Sequence, residues 1–102
     1  MEQIIKERLF KKKVEKALSL CNEEIFLRKH NMSGEGTIEQ FEDIIIPELE
    51  ALLNLDLQNL PPKEERCILS YENAIRKWHW SMENTTTIFD LLEELYYEYK
   101  AF

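Results

Sequence analysis

No glycine or proline interrupts the first 33 residues of the chain, and the full 102 residues hold only Gly34, Gly36, Pro47, Pro61 and Pro62. Glycine supplies the positive φ of tight turns and proline their fixed φ, so a sandwich or barrel of many short strands lacks the turn residues it needs. Helices need few of either. The scarcity points to an all-α chain, and the spacing of its apolar residues says where the helices run.

A first helix is expected from about Glu2 to Asn31, roughly 45 Å long if unbroken. Phe10, Val14, Ala17, Leu18, Cys21 and Ile25 recur every three or four residues and make its core stripe. Leu9, Leu20 and Leu27, with Ile5, fall on a different side and give the helix a second, weaker apolar strip. Asn31 to Gly36 ends it, with glycine expected to supply the positive φ of the C-terminal cap. Thr37 and Gln40 then have the spacing of a capping box. They open a second helix through about Asn54, with Ile38, Phe41, Ile45, Leu49 and Leu52 on one face and Glu39, Asp43 and Glu50 on the opposite one. Pro47 removes the hydrogen bond to the Asp43 carbonyl. Because Pro47 lies towards the polar side, where water can satisfy that carbonyl, a kinked but continuous helix is preferred to a break at Ile46.

Leu55 to Leu60 is a connection whose leucines cover one end of the core, and Pro61-Pro62 precedes a third helix expected over Lys63 to about Glu83. Cys67, Tyr71, Ala74, Ile75, Trp78 and Met82 are its expected buried stripe. Two tryptophans two positions apart on a helix cannot both face inward. With Trp78 in the core, Trp80 lies nearly opposite, near Arg76, where it is either an exposed interface anchor or covered by a loop or chain end. After a short turn, Thr87 and Asp90 offer a weaker capping box for a fourth helix. Ile88, Leu92, Leu95 and Tyr99 face its core side, and Asp90, Glu93, Glu94 and Glu98 fall outside. The expectation is a single helical domain over residues 1–102, an antiparallel four-helix bundle with a long first helix and a second helix kinked at proline.

The net charge of −7 is unevenly placed: through Asn31 there are eight Lys or Arg against five Glu, and from Met32 onward five against fifteen acidic residues. Such a surface repels nucleic acid and attracts a basic protein. Lys11-Lys12-Lys13 is the one basic cluster, without interleaved aromatics for base stacking, and reads as a solvated face that offsets neighbouring acidic ones. There is neither a signal-peptide pattern nor an apolar run long enough for a bilayer, which makes a cytoplasmic location and two reduced core thiols, Cys21 and Cys67, the expectation.

Neither His30 nor His79 has a carboxylate three residues before it, so the Glu-x-x-His pattern of di-metal helical bundles is missing. Gly34-Glu35-Gly36 lacks the lysine of a phosphate-binding loop, and both cysteines sit on core stripes. No metal, cofactor or catalytic residue is expected. Length, acidity and helical pattern resemble colicin-type immunity proteins in general terms, but their Tyr-Tyr-Pro segment has no counterpart, since Tyr96-Tyr97 is followed by Glu98. The likeness is compositional and carries no residue across.

The reading is therefore a small non-enzymatic protein-binding domain, of inhibitor or immunity type, that engages a basic partner. Glu39, Asp43 and Glu50 would steer it, and an aromatic, Trp80 or Tyr97, would anchor it. The alternative is a self-associating helical protein that forms a homodimer through the Leu9, Leu20, Leu27 strip of the first helix.

Overall fold

A computed structural model describes residues 2–33, 36–80 and 87–102 (Thr87 by its backbone alone), and about 75% of these described residues are helical. No strand occurs among the described residues. Among the described residues four helices carry the fold: α1 (Glu2–Lys29), α2, α3 (Leu69–Arg76) and α4 (Thr87–Ala101). α2 runs through three consecutive segments, Ile38–Gln40, a π-helical Phe41–Ile45, and Ile46–Leu53. At 1.5 Å per residue α1 is about 42 Å long and α4 only about 22 Å. The molecule's extents of 45 × 24 × 23 Å are set by α1.

α1 buries Phe10, Val14, Ala17, Cys21 and Ile25, as the spacing requires, with Leu18 packed half-buried beside them. It packs against α2 and α4, and α4 packs against α3. α1 ends in a Schellman motif: the Met32 amide donates to the Leu27 carbonyl at 2.9 Å and the Asn31 amide to the Arg28 carbonyl at 3.2 Å. The residue with positive φ there is Asn31, at 64°, so asparagine and not glycine caps the helix. Asparagine tolerates that conformation better than most residues do. Gly34 lies outside the described residues. Gly36, with φ at 92°, is used instead in the approach to α2.

α2 opens on the expected capping box, in which the Gln40 amide donates to Thr37 Oγ1 at 3.1 Å and the Thr37 amide to Gln40 Oε1 at 3.0 Å. It buries Phe41, Ile45, Leu49 and Leu52. The backbone stays helical through Pro47, with Ile46 at φ −62°, ψ −48°. The π segment lies directly before the proline, and the Ile46 amide donates to the Phe41 carbonyl, five residues back. Such wide turns occur where the regular hydrogen-bond ladder is already interrupted, as it is by a residue with no amide.

The third helix is much shorter than the Lys63 to Glu83 expected. Lys63–Glu65 is a single 3-10 turn, and the chain is extended at Ile68 (φ −117°, ψ 102°) before α3 begins. Arg66 holds the extended stretch in place: its Nε donates to the Pro61 carbonyl at 2.8 Å and its Nη1 to the Tyr99 carbonyl at 3.3 Å. Helical counting is therefore out of phase before residue 69. Ile68 and Ser70 are buried where Cys67 was expected, and Cys67 is exposed.

α3 buries Tyr71 and Ala74 but leaves Ile75 exposed and Trp78 half-buried. Its far end closes by amides of Lys77 and Trp78 on the Asn73 carbonyl, and by the Trp80 amide on the Ala74 carbonyl at 2.8 Å, across His79 at φ 53°. The expected core residue Met82, the end of that helix at Glu83, the turn after Asn84 and the Thr87 side of the last capping box lie outside the described residues. α4 buries Ile88, Leu92, Leu95 and Tyr99 as expected, together with Phe89 and Leu91.

Candidate protein-binding surface

Packing Phe41, Ile45, Leu49 and Leu52 inward turns the other side of α2 to water, and Glu39, Asp43 and Glu50 are all exposed there. None of the three forms an ion pair with a described residue. Their neighbours on α2 are engaged. Glu42 pairs with Lys29 at 3.7 Å. Both carboxylate oxygens of Glu48 accept from α3, from the Leu69 amide at 2.7 Å and the Ser70 amide at 2.8 Å. That contact caps α3, whose own N-cap, Ile68, has no side chain able to do so.

α4 divides its acids in the same way. Glu93 accepts from the Tyr71 hydroxyl at 3.1 Å and Glu98 pairs with Lys13 of α1, while Asp90 and Glu94 stay exposed. Tyr97, 61% exposed, follows Glu94 at helical spacing, so Asp90, Glu94 and Tyr97 share one outward ridge. That ridge was open to the same counting that found the core stripe. The Tyr97 ring meets Tyr96 edge-on at 5.4 Å, and Tyr96 in turn packs on Tyr71 at 4.9 Å with Lys100 Nζ 5.0 Å from its ring centre. These contacts restrict the rotamers of an exposed aromatic, which also interacts with the Tyr71 phenol of α3. Its ring contact is with its own helix and not with the α2 carboxylates, so the expected site is carried on two helices, each packed against α1.

Trp80 is not part of any such surface. It is 6% exposed, with its ring centre 6.2 Å from Phe41, 6.5 Å from Phe89 and 5.7 Å from Trp78. Of the two readings of the tryptophan pair, the covered one holds, because α3 ends at Arg76 and residues 78–80 no longer follow helical phase. The expected strip on α1 is uneven as well. Leu9 is 52% exposed, whereas Leu20 and Leu27 are half-buried and Leu20 packs against the core.

Lys11 has a role with no local signal in the sequence. Its Nζ donates to the carbonyls of Leu52, Leu53 and Leu55 at 2.8, 2.6 and 2.7 Å, closing the C-terminal end of α2. Burial lowers its pKa, against the pull of Asp56 and Glu7. Lys13 with Glu98 and Lys29 with Glu42 show α1 lysines offsetting acids of neighbouring helices.

The groups with chemical potential are dispersed. Burial, with Glu24 nearby, pushes the Cys21 thiol up to about 12, and burial followed by Glu72 and Glu48 raises Cys67. His30 Nδ1 lies 2.8 Å from the Phe26 carbonyl with its ring on that phenyl, and His79 is exposed. Among the described residues no cluster of three or more His, Cys, Asp or Glu is arranged to hold a metal ion, and no helix is long and apolar enough to cross a membrane. The chain matches no protein-family model, no curated protein and no solved structure.

Proposed function

We propose that this chain is a small non-enzymatic cytoplasmic protein-binding domain, of inhibitor or immunity type, that engages a basic partner through the acidic outer sides of α2 and α4. The observation that carries the reading is the division among the carboxylates. Glu48, Glu93 and Glu98 hold the fold together, while Glu39, Asp43 and Glu50 face water without an ion-pair partner among the described residues. Unpaired like charges on one helix face repel each other, and an oppositely charged partner relieves that repulsion. Tyr97 is the anchor in this reading, since it offers a large, oriented aromatic surface beside Asp90 and Glu94.

The reading takes the helices as an antiparallel four-helix bundle with α2 bent at Pro47. Contact of Lys13 with Glu98, and of Lys11 with the Leu52 to Leu55 end of α2, favours that arrangement. The test is capture of partners from the native host, followed by affinity measurement against salt. A basic partner is expected, with association slowed by Glu39→Gln, Asp43→Asn and Glu50→Gln together, and affinity lowered about thirtyfold by Tyr97→Ala, as for an interface hot spot of ~2 kcal/mol. Capture of no basic protein, or an affinity indifferent to salt, would overturn it.

A further inference from the structure

We infer that the outward ridge of α1 is a docking surface for a second copy of this chain, with the two α1 helices crossing antiparallel about a two-fold axis. α1 is about 42 Å long, and its first buried residue is Phe10, so its N-terminal turns run past the core. The side turned away from that core carries exposed apolar groups at both ends: Ile4 and Ile5, 54% and 57% exposed, near one end, and Phe26, 59% exposed, near the other.

The charges between these ends determine what fits. Arg8, Glu15, Lys16 and Glu23 are all exposed, and none is in an ion pair with a described residue. Setting Ile5 of one copy level with Phe26 of an antiparallel second copy fixes every other level by the common rise of the two helices. Arg8 then meets Glu23 of the second copy, because each lies three residues inward of its apolar neighbour. Glu15 meets Lys16 of the second copy next to the axis, where the two copies form a neutral group of four charges. Lys12 falls opposite Ser19 rather than a second lysine. A two-fold repeats each pairing, so one register satisfies both apolar ends and four ion pairs.

An anionic lipid surface would attract Arg8, Lys12 and Lys16 but would be opposed by Glu15 and Glu23 in the same ridge and by the chain's net charge of −7. A second copy has complements for Arg8, Glu15, Lys16 and Glu23 and sets Lys12 against an uncharged serine. The dimer leaves Glu39, Asp43, Glu50 and Tyr97 free, so it stands or falls independently of the acidic partner surface.

The test is sedimentation equilibrium of the full chain. A dimer is expected at micromolar concentration, weakened about tenfold or more by Arg8→Glu and by Glu23→Arg separately, since each places like charges together twice. The double variant Arg8→Glu with Glu23→Arg restores pairing and is expected within about threefold of the parent. Phe26→Asp, at an exposed position, is expected to dissociate the dimer about tenfold or more. A monomer at ~200 µM, a double variant no better than its parents, or Phe26→Asp without effect overturns the proposal. So does a monomer that sediments with phosphatidylserine vesicles.

Discussion

A methyl group added at Gly36 would lie 2.7 Å from Phe41 Cζ, 2.9 Å from Phe41 Cε2 and 3.0 Å from Trp80 Cζ2, on a backbone whose φ is 92°. Neither ring has space to retreat, because Phe41 and Trp80 are buried against each other and Trp80 also packs on Phe89. Gly36→Ala is expected to cost about 2 kcal/mol or more, from overpacking and the unfavourable φ together. It should appear as a lower urea midpoint at unchanged slope. A turn around Gly36 was legible, because a glycine near a helix end marks one. The rings that fill its empty side were not, since one of them is Trp80, 44 positions away and counted on a helix that has already ended. The thiols separate in a similar way. Cys67 is exposed and Cys21 fully buried, so a bulky disulfide reagent at pH 8 is expected to label Cys67 in the folded chain and Cys21 only after unfolding.

α3 has eight residues and begins without a cap of its own, so its stability depends on a carboxylate from α2. Glu48→Ala is expected to cost about 1 kcal/mol, and Glu48→Gln less, because the amide oxygen still accepts one bond. Faster amide hydrogen exchange confined first to α3 is the measurement that separates this from a general loss of packing. Lys11→Met removes the donor that closes α2 and is expected to cost about 1–2 kcal/mol, with the Leu52 to Leu55 segment exchanging faster. These two contacts explain which elements were legible. The stripes of α1, α2 and α4 follow from spacing within each helix, and the Thr37 to Gln40 cap is equally local. The limits of α3 depend on Glu48 and Arg66, whose partners lie 21 and 33 residues away, and such pairings leave no periodic trace. The π segment before Pro47 is a further case. The proline announced an interruption of the ladder but not that a wider turn would absorb it.

Across the molecule, the exposed carboxylates of the candidate surface were readable as the reverse of the core stripe, whereas which acids were already paired was not, because Lys13, Lys29 and Tyr71 reach them from other helices. The same groups shape stability against pH. Four protons are held more tightly in the folded chain than in the unfolded one, that of Cys67 among them, where burial followed by Glu72 and Glu48 raises the thiol. Burial raises the Cys21 thiol from 9.0 to about 12, burial and the bond to Glu93 raise the Tyr71 phenol from 10.0 to about 12, and burial raises Tyr99. The unfolded chain releases these protons first, so stability is intact below pH 9 and falls as pH climbs towards 12. Asp56 acts in the opposite sense. The Gln58 amide and the Asn59 side chain hold it below its ordinary 3.8, so its contribution is present above that pH and is lost as pH falls through the folded value. Thermal unfolding followed by circular dichroism is therefore expected to give a plateau bounded on both sides, with the alkaline decline starting near the thiol's ordinary range. Tyr71→Phe keeps the ring against Phe89 and Tyr96 but has no proton to lose, so its decline above pH 10 should be shallower than the parent's. Cys21→Ala should likewise flatten the limb while lowering the plateau, since it opens space in the core. An alkaline limb unchanged in both variants would place its origin in general charge repulsion rather than in these buried groups.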